Sequence, residues 1–280
     1  MSPRLMTLAV TLAMLPAVSA CDSPAQSAQS AQRHPSSTVE ATAARQPLPA
    51  PASAKVVTAD PKVGAIFVNG GTVHVCSGAV LRSGGEDLIL TAAHCLSDGV
   101  DATFVPGFDD DVGPVDSWQI QATYLDPRWA ATQDPLADYA IARVGRDAAG
   151  TIESQVGGGY ALGPTPAAGT DVTVTGYGFG NDATPIQCRG RTEVTSGGYP
   201  ALHCAGLVDG TSGAPWVTGA TVTGLVGGLN GGGCDDSVSY SPPFDDGVTQ
   251  LLARAEAGGP GDAAPAPAGG GCPPAAPVPG

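Results

Sequence analysis

The sequence predicts an all-β protein, and three observations carry that prediction. Among its 280 residues are 40 Gly and 26 Pro, too many for a helical bundle because both residue types interrupt regular helices. Short runs rich in β-branched residues alternate with turn residues, which is typical of antiparallel hairpins. Only Asp246–Ala257 has apolar residues at helical spacing, and Gly258 and Gly259 follow it as stop signals.

Several runs are predicted as strands because they are short, apolar and bounded by turn residues. They are Val63–Val68, Val73–Leu81, Asp87–Ala92, Trp118–Tyr124, Tyr139–Val144, Asp171–Thr175 and Thr221–Val226. Glycine pairs lie between some of these runs, at positions 84–85 and 197–198, where tight hairpin connections are expected.

The two ends of the chain differ in composition from its centre. Residues 1–20 have a basic start, an apolar run and small residues, the pattern of a secretion signal too short to span a bilayer. Residues 21–54 are rich in Ala, Ser, Pro and Gln and are expected to form a disordered tether or pro-region. Residues 258–280, rich in Gly, Pro and Ala, are expected to form a disordered tail, which leaves residues 55–257 as the folded domain.

The signal predicts a protein that works outside the cytoplasm. Val18-Ser19-Ala20-Cys21 fits a bacterial lipobox, in which Cys21 becomes the lipidated first residue and anchors the chain to a membrane. The same residues fit an ordinary signal peptidase site, which would give a secreted protein, and both alternatives stay open. The Cys count of 7 also favours an oxidising compartment.

Charge and spacing exclude several kinds of partner. With 12 Lys+Arg against 26 Asp+Glu the formal net charge is −14, which excludes a nucleic-acid binder that neutralises phosphates. Acidic runs occur at residues 109–111, 235–236 and 245–246, but they lack the spacing of a calcium loop and are interpreted as solvated charge. No Cys/His spacing indicates zinc, so we expect no metal and no cofactor.

Three local patterns contain the residues best suited to catalysis. They are residues 90–95, LTAAHC, residues 137–142, ADYAIA, and residues 209–216, DGTSGAPW. Together, in this chain order, they resemble the trypsin/chymotrypsin-like serine peptidases, and their short spacing is similar to that of compact bacterial, exported members. The resemblance implies two six-stranded antiparallel β-barrels packed together, with one C-terminal helix. It also implies a monomeric hydrolase that acts on protein or peptide substrates.

The resemblance implies that Ser212 is the nucleophile, His94 the general base and Asp138 the carboxylate that orients it. Asp134 competes with Asp138, but Asp138 directly precedes an apolar, strand-like run. Ser212 lies among glycines, so the N–H groups of Gly210 and Ser212 are expected to form an oxyanion hole.

Two residues depart from the family pattern. Thr211 stands where relatives have an Asp that receives the new N-terminus after zymogen cleavage. Lys55-Val56-Val57 looks like an activation junction, yet without that Asp we expect that cleavage after Lys55 does not form the oxyanion hole. Gly227 stands where relatives usually have a Ser that hydrogen-bonds the catalytic carboxylate, so Asp138 needs donors from elsewhere.

Substrate recognition is expected along the strand from Leu225 to Gly228. Its members Val226, Gly227 and Gly228 would offer main-chain groups to an extended peptide. The base of the specificity pocket is expected near Gly206 and Leu207, where no carboxylate is present, which favours a small or apolar side chain at the cleaved bond. Carboxylates of Asp209 and Asp235 at the rim would reverse that preference.

Six cysteines follow Cys21, and the resemblance implies a Cys76–Cys95 disulfide beside His94. Cys188 and Cys204 flank a predicted hairpin and are expected to pair, with Cys204–Cys234 as the alternative. Cys272 would either link the tail to the domain or remain free.

The sequence therefore predicts a serine endopeptidase. Two alternatives use the same fold: a non-catalytic surface binding protein, and an esterase that uses the same three residues on small acyl substrates.

Overall fold

The computed structural model describes residues 52–96, 101–109, 116–179, 184–266 and 272. The predicted signal, Cys21 and most of the predicted tether lie outside the described residues. The described residues form one compact unit. Among the described residues, no helix is long and apolar enough to cross a membrane.

The described residues form mainly antiparallel β-structure, as predicted. In chain order the strands are β1 (Ala52–Ser53), β2 (Lys55–Val56), β3 (Val63–Val68), β4 (His74–Val80), β5 (Leu88–Thr91), β6 (Ala102–Pro106), β7 (Trp118–Leu125), β8 (Ala140–Gly145), β9 (Ala161–Leu162), β10 (Asp171–Gly176), β11 (Ile186–Val194), β12 (Pro200–Ala205), β13 (Pro215–Thr218), β14 (Thr221–Leu225) and β15 (Val238–Tyr240). The helices are α1 (Pro127–Thr132), α2 (Ile152–Val156) and α3 (Asp246–Ala257). Each of the runs predicted as strands matches one of these strands, with bounds that differ by at most one residue at either end.

The first half of the domain is a closed six-stranded barrel with the order β3-β4-β5-β8-β7-β6. Its interior contains fully buried apolar side chains, among them Leu90, Phe104 and Ile141. The Phe104 ring packs directly against Gly64, and only glycine fits there because a Cβ at position 64 would lie 2.5 Å from the ring. The barrel thus closes around large apolar side chains, which makes it a rigid support for the loops at its rim.

The second half is a nine-stranded sheet rather than the expected six-stranded barrel. Its order is β1-β12-β11-β10-β13-β14-β9, with β15 also on β12 and β2 also on β11. The additional strands are β1, β2, β9 and β15, which have two or three residues each and are too short to be predicted from the sequence. Its own core contains Val174, Leu202 and Trp216, each completely buried.

The segment on both sides of Lys55 belongs to this sheet. Strand β1 runs parallel to β12, and the Ala54 N–H donates to the Ala205 carbonyl at 2.7 Å. Strand β2 pairs with β11, and the Val57 N–H donates to the Pro185 carbonyl at 3.0 Å. The predicted domain start at residue 55 is therefore not a boundary in the structure, which continues to residue 52.

Helix α3 has the predicted bounds, and α1 and α2 were not predicted. Both short helices carry local start signals, since Asp126 caps α1 before Pro127 and Thr151 forms a capping box at the start of α2. Their few turns left too little apolar periodicity to be read from the sequence.

The chain after α3 does not match the expectation of a disordered tail from residue 258. The Asp262 N–H donates to the Thr123 carbonyl at 2.7 Å, and the Asp262 carboxylate accepts from the Leu125 N–H at 2.7 Å. Arg254 forms an ion pair with Asp262 at 2.5 Å. Asp262, together with a hydrogen bond that the Tyr124 hydroxyl donates to the Gly259 carbonyl at 3.0 Å, therefore attaches residues 258–266 to strand β7, although their composition is typical of a flexible segment.

Disulfides join Cys76 to Cys95, Cys188 to Cys204, and Cys234 to Cys272. The first two are the expected pairs. The alternative Cys204–Cys234 pairing is wrong, and Cys272 links the tail to the domain.

Candidate active site

His94 is carried by a short 3₁₀ helix, Ala93–Cys95, that follows β5. The preceding residues Thr91, Ala92 and Ala93 are buried, and their small size allows this turn to pack closely against the barrel. The Cys76–Cys95 disulfide attaches the same turn to β4. The backbone of His94 is thus fixed, while its side chain remains 30% exposed.

Asp138 lies beneath His94 and is 1% exposed. One carboxylate oxygen accepts the His94 backbone N–H at 3.0 Å. The other accepts the His94 Nδ1–H at 2.8 Å and the Gly228 N–H at 2.8 Å. The Gly228 amide therefore donates to Asp138 in place of the Ser hydroxyl that relatives have at the position of Gly227.

The hydrogen bond to Asp138 holds the proton of a neutral His94 on Nδ1 and leaves the lone pair of Nε2 free to accept a proton. Burial lowers the pKa of His94, but the charge of Asp138 and its hydrogen bond outweigh burial, so the pKa is raised above 6.5. The pair therefore favours an imidazole that accepts a proton readily.

Ser212 lies between two glycines with left-handed backbone, Gly210 (φ +91°) and Gly213 (φ +82°). A Cβ at Gly213 would lie 2.2 Å from the Ser77 carbonyl oxygen, so position 213 has no room for a side chain. Ser212 and His94 line one open cavity of about 340 Å³. The structure thus brings the predicted nucleophile and base to the same cavity, with Asp138 behind the base.

Two peptide planes beside Ser212 are held in fixed orientations. The Asp209 carbonyl accepts the Phe179 N–H at 2.7 Å, and the Thr211 carbonyl accepts the Ala214 N–H at 2.8 Å. No cis peptide bond occurs in the described residues, so each N–H points away from the carbonyl of its own plane. The N–H groups of Gly210 and Ser212 consequently point away from Phe179 and Ala214.

Within the described part of the chain, neither of these two N–H groups has a hydrogen-bond acceptor. Gly210 and Ser212 both line the cavity, where a developing oxyanion would be the missing acceptor. Thr211 between them is buried and its hydroxyl donates to the Val208 carbonyl at 2.7 Å. The residue that replaces the family's Asp is therefore satisfied within its own loop.

The segment predicted to bind substrate differs from an extended strand. Strand β14 ends at Leu225, and a 3₁₀ helix, Leu229–Gly232, begins soon afterwards. The Gly228 N–H is used by Asp138, and its carbonyl accepts the Gly231 N–H at 3.0 Å. The Gly227 N–H donates to the Tyr240 carbonyl at 3.0 Å. These backbone groups of Gly227 and Gly228 therefore have partners inside the protein, and the Gly228 amide supports the Asp138 carboxylate.

The predicted pocket residues do not line the cavity beside His94 and Ser212. Leu207 and Val226 are buried in the core of the second sheet, and the Gly206 N–H donates to the Asp236 carbonyl at 2.8 Å. The cavity is instead lined by Val68, Val75, Cys76, His94, Cys95, Phe179, Asp209, Gly210 and Ser212. It combines apolar side chains with one exposed carboxylate, that of Asp209.

Sequence reasoning missed Ser77 and Phe179. Ser77 follows Cys76 inside a strand and resembles any small residue of a barrel wall, whereas Phe179 follows a glycine in a loop. No motif marks either position, because their contacts with the loop of Ser212 are made with residues far away in the chain.

Cys76, His94 and Cys95 bring their side-chain ligand atoms within 4.8 Å of one another. The two sulfurs are joined in a disulfide and offer no thiolate, so this cluster is not a metal site.

Comparisons with known proteins concern the family and the fold of the chain. The family model described as the trypsin-like peptidase domain matches residues 76–227. No curated protein sequence matches the chain.

Among solved structures, the protease Anisep from Arthrobacter nicotinovorans is 22% identical, with a TM-score of 0.63, and the match covers 73% of this chain and 100% of that one. A thermostable serine protease, AL20, from an extremophilic microorganism is also 22% identical, with a TM-score of 0.62 and coverage of 71% and 99%. Human heparin binding protein is 18% identical, with a TM-score of 0.58 and coverage of 75% and 98%. At these identities the likeness to the three structures shows a shared fold.

Proposed function

Because the chain belongs to the trypsin-like serine peptidases, we propose that it hydrolyses peptide bonds through an acyl-enzyme formed on Ser212. His94 serves as general base and then general acid, and Asp138 orients its ring. One observation carries the proposal: the His94–Asp138 pair and two N–H groups without an acceptor in the described residues lie at the same cavity as Ser212.

In the first step the Ser212 hydroxyl attacks the carbonyl carbon of the scissile bond while His94 Nε2 takes its proton. The carbonyl oxygen becomes an oxyanion and accepts hydrogen bonds from the Gly210 and Ser212 N–H groups. Collapse of this intermediate breaks the C–N bond, and His94 gives its proton to the leaving amine. Water then repeats the sequence on the acyl-enzyme and releases the acid product.

A binding protein without turnover is the competing function, since human heparin binding protein has the same fold. The supported arrangement of Ser212, His94 and Asp138 favours turnover, because a binding role needs none of these contacts. A net charge of −14 also opposes recognition of a polyanion. An esterase remains the second alternative, and only substrate comparison separates it from a peptidase.

We propose that a substrate side chain close to the scissile bond enters the cavity beside Ser212. Val68, Val75 and the 45% exposed Phe179 would contact an apolar side chain, and the Asp209 carboxylate would attract a cationic one. The small or apolar preference inferred from Gly206 and Leu207 thus gives way to an apolar or basic residue at this site. Profiling a peptide library with wild type and Asp209→Asn tests this, since the variant should lose only the preference for basic residues.

We propose that the protein acts outside the cytoplasm as a monomer, attached to a membrane through Cys21 or secreted. Its three disulfides are consistent with an oxidising compartment. Mass spectrometry of the mature N-terminus separates the alternatives, because only an anchored form carries acyl chains on Cys21.

The proposed function is tested with a fluorophosphonate probe, casein and a short ester, each applied to wild type and Ser212→Ala. A peptidase should be labelled on Ser212 and cleave casein, and Ser212→Ala should lose both properties. Absence of labelling in a folded wild-type protein would favour the binding protein. Labelling with ester turnover and no casein cleavage would favour the esterase.

A further inference from the structure

Ser77 is a completely buried residue of β4 that contacts the loop of Ser212 from the other half of the domain. Its hydroxyl donates to the Gly210 carbonyl at 3.1 Å and accepts the Tyr177 N–H at 2.9 Å. Its own backbone N–H donates to the Ser212 carbonyl at 2.7 Å. One small residue therefore binds the carbonyls of both residues whose N–H groups face the cavity.

Gly210 needs such support because a glycine has almost no intrinsic preference for one backbone conformation. Its N–H is aimed by the plane it shares with the Asp209 carbonyl, which the Phe179 N–H holds. Its own carbonyl, on the other side of its Cα, is held by the Ser77 hydroxyl. With both sides held, Gly210 cannot turn its N–H away without breaking a buried hydrogen bond.

The Ser77 hydroxyl also fixes the segment that supplies Phe179. Tyr177 lies two residues before Phe179, and its N–H is bound by that same hydroxyl. This packing is tight, because a Cβ at Gly210 would lie 2.8 Å from the Tyr177 carbonyl oxygen and 2.9 Å from the Phe179 nitrogen. The Ser77 hydroxyl thus joins the segment of Tyr177 and Phe179 to the loop of Gly210, and the relative position of these two segments directs the Gly210 N–H.

We propose that Ser77 is a positioning residue of the oxyanion hole. Its hydroxyl orders Gly210 from within the fold, in a chain that has Thr211 where relatives have an Asp for a new N-terminus. The inference rests on the proposed function, since an oxyanion hole acts only if Ser212 forms a tetrahedral intermediate. It adds a residue that touches no substrate and acts through the backbone of Gly210.

The test is Ser77→Ala, with Ser241→Ala as matched control. Ser241 is also completely buried, and its hydroxyl likewise bridges backbone groups, accepting the Leu225 N–H at 3.0 Å and donating to the Pro242 carbonyl at 2.8 Å. Its bridge does not touch residues 209–212. Both variants leave a buried N–H and a buried carbonyl unpaired, so both should lose comparable thermal stability.

Ser77→Ala should lower kcat on the order of ten- to a hundredfold with little change in KM, because the lost alignment matters only when the oxyanion forms. It should weaken inhibition by a peptide aldehyde, which forms a tetrahedral adduct, by a similar factor. Ser241→Ala should leave both quantities near wild type. Ser77→Cys, a less disruptive variant with a weaker donor, should fall between Ser77→Ala and wild type and replaces it if the alanine variant does not fold.

Equal effects of Ser77→Ala and Ser241→Ala on kcat would overturn the positioning role and leave a structural one. An increase in KM without a loss of kcat would also overturn it. A folded wild-type protein that neither reacts with the fluorophosphonate nor turns over substrate refutes the proposed function itself, and that result precedes any comparison of variants.

Discussion

Asp138→Asn isolates the contribution of the charge behind His94, because it keeps the shape of the side chain. The carboxylate accepts the two N–H groups of His94 and the Gly228 N–H. An amide has a single oxygen for these three donors. If its NH₂ faces His94 Nδ1, the imidazole must carry its proton on Nε2 and cannot accept the proton of Ser212.

The size of the loss follows from the geometry. His94 Nδ1 and the Asp138 carboxylate oxygen are 2.8 Å apart. Unit charges centred about 4 Å apart attract by about 4 kcal/mol at an effective dielectric constant of about 20. Removing that attraction from a transition state with a protonated His94 costs about a thousandfold in rate. The wrong tautomer raises the expected loss in kcat to about 10⁴-fold.

The pH profile gives the second half of this prediction. Burial lowers the pKa of His94, and the charge and hydrogen bond of Asp138 outweigh it to raise that pKa. Wild-type activity should therefore fall as the pH drops through a value above 6.5, since protonated His94 cannot act as a base. In Asp138→Asn only the effect of burial remains, and burial lowers the pKa of His94. The acid limb of kcat/KM should therefore move to lower pH.

Steady-state kinetics across the pH range, with Asp134→Asn as control, measures both effects. Asp134 accepts the Leu136 N–H at 2.9 Å and has no hydrogen bond to His94 in the described structure, so its variant should retain activity. A loss below tenfold in Asp138→Asn, or an acid limb that moves to higher pH, would refute the reasoning.

Three further predictions concern the rest of the domain. Lys55→Gln, which removes the basic residue at the predicted cleavage site, should leave kcat/KM unchanged, because backbone hydrogen bonds hold the chain on both sides of residue 55. Activity that depends on cleavage after Lys55 would contradict this prediction. Replacing Cys188 and Cys204 by Ser should lower the free energy of unfolding in urea by about 3 kcal/mol, the loop-closure value for a separation of 16 residues. Burial raises the pKa of Asp126, but hydrogen bonds from Arg128 outweigh burial and lower that pKa below 3.8. The ionised Asp126 therefore stabilises the folded state above pH 3.8, and this stabilisation is lost as the pH falls through the lowered pKa. Asp126→Asn should therefore melt at lower temperature than wild type at pH 7, with the difference disappearing in acid; a constant difference would contradict the assignment.

Local patterns were sufficient for the first barrel and for α3. Val63–Val68 and Asp246–Ala257 have the bounds read from the sequence, because apolar spacing and flanking turn residues agree there. Strand β11 was not among the runs predicted as strands, although a hairpin was expected between Cys188 and Cys204. Its run carries two arginines and a glutamate, and these three side chains are exposed. Polar strands of this kind acquire their structure from the partners they pair with, which here are β10 and β12.

The candidate site divides in the same way. Ser212, His94 and Asp138 sit in motifs that local sequence reveals, whereas Ser77 meets Gly210 across 133 residues and Gly228 meets Asp138 across 90. Such contacts depend on the docking of the two halves of the domain, which no local pattern encodes. The order of residues 258–266 was missed for a similar reason, since their contacts, above all those of Asp262 with β7, are to residues far away in the chain.

The orientation of the Gly210 and Ser212 amides requires no event after folding. Phe179 and Ala214 hold those peptide planes with bonds that form as the chain closes, and residues 52–54 are already part of the sheet. If the chain is the proposed peptidase, cleavage beside Lys55 is therefore not needed to orient these two amides. The Cys76–Cys95 bridge beside His94 forms only when two thiols are oxidised, so the turn that carries His94 gains its covalent support only under oxidising conditions.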